Sequence, residues 1–271
     1  MGSSPEQKTN GEASLSNLGY TPTPKVSEPW TVDKVLDAIP DQPPTEAESP
    51  IPFFHMLERL KTTKREGWRR FGIDSFGRGE SIADHMYRMS MISMFAPQAL
   101  REKLDLNKCI KMSLIHDMAE LLVGDITPVD NVPKPEKNRR EASTMDVLGK
   151  NYLRNVPGGK VSGAEMQAIW QEYEDSKTPE SIFVHDVDKV ELLLQMVEYE
   201  KRAKGQVDLG EFAYVASKVV LPEMKAWADE LIQEREQYWG STDHVHGEKG
   251  LEGGVKAETV NGQNDYYKRD N

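Results

Sequence analysis

From residue 51 to residue 239 the apolar side chains return every three or four positions, and alternating β-branched runs are scarce. That period dictates helices packed against one another, so the expected fold class is all-α, a bundle of about eight helices. The first, about 53–66, sets Phe53, Phe54, Leu57 and Leu60 on one face. After a glycine-containing loop over 67–79, a second helix over about 81–96 carries Met86, Met89 and Ile92 and ends before Pro97. A third over about 107–122, with Asn107 as its cap, buries Ile110, Leu114, Ile115 and Met118 and stops at Gly124. Pro133 opens a fourth that runs to about Arg154, and Ser162 with Glu165 has the capping-box spacing that opens a fifth to about Ser176. Thr178 before Pro179 starts a long sixth ending near Gly205, and two more follow near 208–217 and 222–238.

The flanks have a different composition. Residues 1–50 are rich in Ser, Thr, Pro and Glu and read as a disordered acidic arm, with one short helix at Thr31–Ile39; residues 240–271 read as a disordered Gly-rich tail. The folded domain is then 51–239. A net charge of −11 and pI near 5.2 leave no basic stripe for a nucleic-acid polymer. No run approaches the roughly 18 apolar residues of a membrane span, and the first thirty residues hold no apolar leader, so a cytoplasmic or nuclear protein without a membrane partner is expected. The single cysteine, Cys109, excludes an internal disulfide and sits in an apolar helical pattern as core filler.

His116-Asp117, inside SLIHDMAELLVGD, is the strongest chemical signal. Two adjacent polar residues among Leu114, Ile115 and Met118 must find partners or cost about 2–7 kcal/mol each, and a metal ion can serve both. His85 in SIADHMYRM and Asp188 in FVHDVDKVELLL share such apolar settings. Imidazole and carboxylate donors suit Mn2+, Co2+, Fe2+ or Zn2+, and the lack of cysteines disfavours thiolate-bound metals. The plain alternative is that these are hydrogen-bonded core residues with no ion. His185 lies on a different face of its helix from Asp188, His244 and His246 lie in the tail, and the KNRREA run from Lys137 to Ala142 reads as a solvated helix face.

The order His85, His116-Asp117, Asp188 resembles the HD-domain metal-dependent phosphohydrolase superfamily. More narrowly, SIADHMYRM, SLIHDMAELLVGDITPVDNVPKPEKNRREA and the W-x-E-Y-E of Trp170–Glu174 look like the eukaryotic HD domain-containing protein 2 group, whose members are similar to bacterial 5′-deoxynucleotidases. The resemblance implies an HD-domain helical bundle and a first metal on His85, His116, Asp117 and Asp188. It also implies a second ion, such as Mg2+, at Glu120, Asp125 and the backbone carbonyl of Ile126. Glu120 follows His116 by four residues and so faces the same cavity. Trp68 is implied in the nucleotide pocket. The phosphate-contacting arginine of the bacterial enzymes has no direct counterpart because Gly67 precedes Trp68, and Arg65, Arg69 and Arg70 are the candidates to supply that guanidinium.

The reaction implied is hydrolysis of deoxyribonucleoside 5′-monophosphates by a homodimer. In it Glu120 orients water or protonates the leaving oxygen, and Asp125 accepts the sugar 3′-OH. Three alternatives stay open: a hydrolase of another phosphoester such as a cyclic nucleotide or nucleoside triphosphate, a non-catalytic metal-binding scaffold, and a purely structural helical module.

Overall fold

The computed structural model describes residues 22–76, 79–127 and 130–240, so the expected disorder of 1–21 and of the tail, with His244 and His246, lies outside the described residues. Eleven α-helices follow one another among those residues: α1 (Val32–Asp37), α2 (Ile51–Thr62), α3 (Glu66–Arg69), α4 (Ile82–Met94), α5 (Gln98–Arg101), α6 (Leu106–Ile115), α7 (Glu120–Val123), α8 (Lys134–Lys150), α9 (Gly159–Asp175), α10 (Pro179–Arg202) and α11 (Pro222–Trp239). A 3-10 helix covers Ile73–Phe76, and another covers Gly210–Lys218, where an α-helix was expected. Among the described residues the one β feature is an isolated bridge between Lys64 and Ser81.

Helix α10 runs through the middle of the bundle and packs on α4, α6, α9 and α11. Its position follows from its sequence. Phe183, Val184, Val187, Val190, Leu193 and Met196 are all buried, more than one amphipathic stripe can supply, so the helix is covered on most sides. Thr178 caps its first turn in a reciprocal box with Ser181, and Pro179 occupies the first helical position, as the sequence predicts. Ser81 and Asp84 form the corresponding box on α4. Helices α8 and α9 cross where Gly149 meets Gly163, so closely that a Cβ on Gly163 would lie 2.8 Å from the Gly149 carbonyl oxygen.

Several expectations change. The third helix is capped by Asp105, not Asn107, and it breaks at His116 before resuming as α7. The break is a tightened turn, in which Met118 N–H bonds Ile115 O at 2.9 Å and Glu120 N–H bonds Asp117 O at 3.0 Å, both three residues back. Helix α9 starts at Gly159, after a left-handed Gly158, and Glu165 pairs with Lys111 instead of closing a box with Ser162. The helix expected over 53–66 ends at Thr62, and the one expected to reach Arg154 ends at Lys150. Phe54 and Leu114, expected in the core, are exposed, while Met56 and Cys109 take buried places on the same helices.

The arm over 22–50 also differs from expectation. Trp30, Val35 and Leu36 are buried in the common core, although the prolines and acidic residues around them keep the local average polar. Trp30 is clasped by Arg139 and Arg140 of α8, whose guanidiniums lie 5.8 and 5.4 Å from its ring centroid. Arg139 donates to the Trp30 carbonyl at 2.8 Å and Arg140 pairs with Glu28 at 3.1 Å. The KNRREA segment is therefore a contact surface instead of a solvated face.

Candidate active site

His85 enters from the first turn of α4 and is fully buried; His116 enters from the broken turn between α6 and α7. His85 Nδ1 lies 2.6 Å from Glu191 Oε2 on α10, and His116 Nδ1 donates to the Ser113 carbonyl at 3.1 Å. Both contacts place a proton on Nδ1 and turn Nε2 inward, the tautomer a metal-ligating histidine needs. The Ser113 contact also draws that carbonyl toward a side chain at the point where the helix tightens.

The inward atoms converge. His85 Nε2 lies 3.3 Å from Asp188 Oδ1 and 3.7 Å from Asp117 Oδ2, and His116 Nε2 lies 3.2 Å from Asp117 Oδ2. Donor atoms of His85, His116 and Asp188 fall within 4.8 Å of one another. Neither Nε2 makes a hydrogen bond of proper geometry, although both are closed to water. Two buried nitrogens turned toward two carboxylates, with no hydrogen bond of their own, fit a divalent cation of the borderline class.

Charge balance supports that fit. Burial and the nearby Arg65 oppose a charge on His85, yet Glu191 and Asp188 outweigh them and push its pKa up to about 10. Burial disfavours ionised Asp117 and Asp188, but His116 and Arg65 beside Asp117, and His85 beside Asp188, hold both well below the usual carboxylate range. The site therefore collects positive charge from the His85 proton and Arg65 where an ion would supply it.

Arg65, at the start of α3, places Nη1 3.0 Å from Asp117 Oδ2 and 3.8 Å from Asp125 Oδ1. Asp125 Oδ2 accepts the Glu66 N–H at 2.6 Å, so this carboxylate sits at the N-terminus of α3 as well as just beyond α7. Glu120, 2% exposed, has an unpartnered Oε2; burial with Asp117 and Asp125 pushes its carboxyl far above the ordinary value, and Arg65 and Lys137 pull the other way. Ile126 is half-buried against the core.

Two expected substrate residues stand elsewhere. Trp68 is 4% exposed, donates its indole N–H to Glu80 Oε2 at 2.8 Å and packs on Tyr199 and Phe212, so it offers no open face to a sugar or base. Arg69 forms an exposed pair with Glu66 at 2.7 Å, and Arg70 pairs with Glu211. Of the three arginines, Arg65 alone reaches the Asp117–Asp125 pair.

Other residues go beyond the sequence reading. Glu191 orients His85 and is itself gripped by Arg88, which also binds Gln195 and Glu198. Glu80, raised by burial and Glu191 to about 8, backs this pair. Tyr173 donates to Asp188 Oδ2 at 3.3 Å and stacks on His185 at 3.9 Å; burial and Lys189 lower the pKa of His185 to about 4, so it is neutral. The signal for Arg88 and Glu191 was spacing: Arg88 follows His85 by three residues and Glu191 follows Asp188 by three, which puts each beside a candidate metal-binding residue on one helix face.

Comparison with known proteins gives the family. The HD domain family profile matches residues 57–227. The 5′-deoxynucleotidase hdd1 of Schizosaccharomyces pombe is 41% identical over 70% of this chain and 92% of its own length. The 5′-deoxynucleotidase HDDC2 of Homo sapiens is 36% identical over 70% of this chain and 87% of its own. Among solved structures, the HD domain-containing protein YGK1 superposes with a TM-score of 0.51 at 30% identity, covering 70% of this chain and 87% of that one. With its paired histidines and aspartates inside a helical bundle, the chain belongs to the HD-domain family, in the group whose members are named 5′-deoxynucleotidases.

Proposed function

We propose that the protein is a metal-dependent 5′-deoxynucleotidase that hydrolyses deoxyribonucleoside 5′-monophosphates to the deoxynucleoside and inorganic phosphate. The observation that carries this reading is the convergence of two Nδ1-pinned imidazoles on Asp117 and Asp188. His85, His116, Asp117 and Asp188 would hold the first ion, with Mn2+, Co2+, Fe2+ or Zn2+ matching their donors. Glu120, Asp125 and the Ile126 carbonyl would hold a second, such as Mg2+, since the buried oxygen of Glu120 lacks a partner. When bound, the cation supplies Lewis-acid polarisation of the phosphate and a water of lowered pKa.

The remaining chemistry falls to the side chains. Water oxygen bonds to phosphorus, the bond to the 5′-oxygen breaks, and the 5′-oxygen takes a proton. Glu120, buried beside the metal-binding carboxylates, would handle that proton or hold the water. Arg65 would meet the phosphate, because its guanidinium stands beside Asp117 with side chain 17% exposed. Asp125 would accept the sugar 3′-OH. The exposed residues Tyr87, Met91, Met94 and Phe95 on or next to α4 form an apolar face suited to a homodimer. No described helix is long and apolar enough to cross a membrane, and the expected location is the cytoplasm or nucleus.

The test is metal analysis of purified protein together with deoxy- and ribonucleoside monophosphate assays on wild type and His116→Ala. Loss of both metal and deoxynucleotide turnover in the variant is expected. Stoichiometric metal with no phosphoester turnover in the wild type would leave a binding scaffold instead.

A further inference from the structure

Tyr173 belongs to the W-x-E-Y-E segment of Trp170–Glu174 and sits in the last turn of α9, which packs on α6 and α10. It is 6% exposed, so its phenol needs a partner inside the fold. A tyrosine that only fills the core can use any nearby backbone carbonyl. This O–H instead meets Asp188 Oδ2, at 3.3 Å. The same ring lies 4.8 Å from the ring of His116, tilted by 55°, and 3.9 Å from the ring of His185. His185 Nε2 donates to the Tyr173 carbonyl at 3.0 Å, so one histidine that is not a candidate ligand fixes both the backbone and the ring of this tyrosine.

Donor atoms of His85, His116 and Asp188 face one another, and each side chain is held from behind. Glu191 holds His85, whereas Tyr173 touches both of the others, one from α10 and one from the break after α6. A carboxylate offers a metal one oxygen or two, and a hydrogen bond to the outer oxygen favours the first. Here the phenol engages Asp188 Oδ2, and Oδ1 stands 3.3 Å from His85 Nε2. The phenol contact is longer than the usual O–H···O bond, and the ring packing on His116 and His185 supplies the rest of the restraint. We infer that Tyr173 is a positioning residue: it restricts Asp188 to one ligating oxygen and braces the His116 ring, which leaves coordination positions of the first ion open. The inference rests on the metal-binding reading above, and it is measured by binding and spectroscopy without turnover.

The experiment titrates Co2+ into metal-free wild type, Tyr173→Phe and Tyr173→Leu, following the visible absorption of the bound ion and recording the thermal midpoint of each metal-free protein. Tyr173→Phe removes the hydroxyl and keeps the ring. It should bind Co2+ roughly tenfold more weakly than wild type while keeping the wild-type midpoint. Its visible band per bound ion should also be weaker, because a released Oδ2 raises the coordination number. Tyr173→Leu loses the ring contact with His116 as well and should bind more weakly still. An unchanged band in Tyr173→Phe, or an affinity within about twofold of wild type, would overturn the inference. So would a metal-free Tyr173→Phe protein that is unfolded or as destabilised as Tyr173→Leu, since Tyr173 would then be core packing alone. Absence of Co2+ binding by the wild type would overturn both this inference and the metal-site reading. If the wild type binds Co2+ but turns over no deoxynucleoside monophosphate, the reaction assignment fails while the titration still decides the role of Tyr173.

Discussion

Raising the pH from about 6.5 to about 8.5 should tighten binding of Mn2+ or Co2+ by about a hundredfold, because a proton on His85 must leave before Nε2 can act as a ligand. Burial and Arg65 work against that proton, but the 2.6 Å contact to Glu191 and the approach of Asp188 hold the pKa at about 10. Throughout that range the ion displaces about one proton, so apparent affinity changes about tenfold per pH unit, or about 2.7 kcal/mol over the two units. A histidine at its ordinary pKa of about 6.5 would contribute only about a twofold change. Competition against a chelator of known pH dependence, at fixed ionic strength, separates the two cases. A change below about fivefold would refute the reasoning. The stability of the metal-free protein should move the opposite way. A histidine with a raised folded pKa stabilises fully below about pH 6.5 and loses that contribution as pH climbs toward about 10. Glu80, raised to about 8, and Glu141, raised to about 7, act in the same sense, since a carboxyl that stays protonated in the fold costs stability once pH passes its unfolded value near 4.5. The thermal midpoint of metal-free protein should therefore fall across the range in which metal binding tightens.

Glu120→Gln should lower kcat by about a hundredfold or more while the first metal stays bound, checked by steady-state assay beside elemental analysis. Gly163→Ala forces a Cβ to within 2.8 Å of the Gly149 carbonyl oxygen and should cost roughly 1–3 kcal/mol, read from urea unfolding. Trp30→Ala should cost roughly 3–5 kcal/mol in the same assay, through the cavity left in the core and the lost stacking of Arg139 and Arg140. A loss under about 1 kcal/mol would mean that the arm does not stay docked.

The all-α class and the long helix opened by Thr178-Pro179 were legible in helical periodicity and end signals, and the meeting of His85, His116, Asp117 and Asp188 was legible from polar residues in apolar surroundings together with the family resemblance of their order. The break after Ile115 was not, since Leu121, Leu122 and Val123 continue an apolar pattern and only the pull of Ser113 and the inward turn of His116 and Asp117 distinguish it. The packing of Trp68 was not legible, because an indole beside a loop can serve a ligand or a core, and its bond to Glu80, 12 residues on, ties it into the core. Arg65 and Arg69 look alike in sequence, yet one turn of α3 sends the first to Asp117 and the second to Glu66. The partial burial of Lys137 escaped because no local pattern shows how far α8 is covered by the rest of the bundle.

The clasp of Arg139 and Arg140 on Trp30 bears on what the smallest self-sufficient fragment of this protein can be. A piece beginning at residue 51 would retain every histidine and aspartate of the proposed metal site, yet it would leave open the seats of Trp30, Val35 and Leu36 and strip both arginines of a partner. Such a trimmed polypeptide should be sticky and short-lived in solution, and a useful truncation series should start upstream of Glu28.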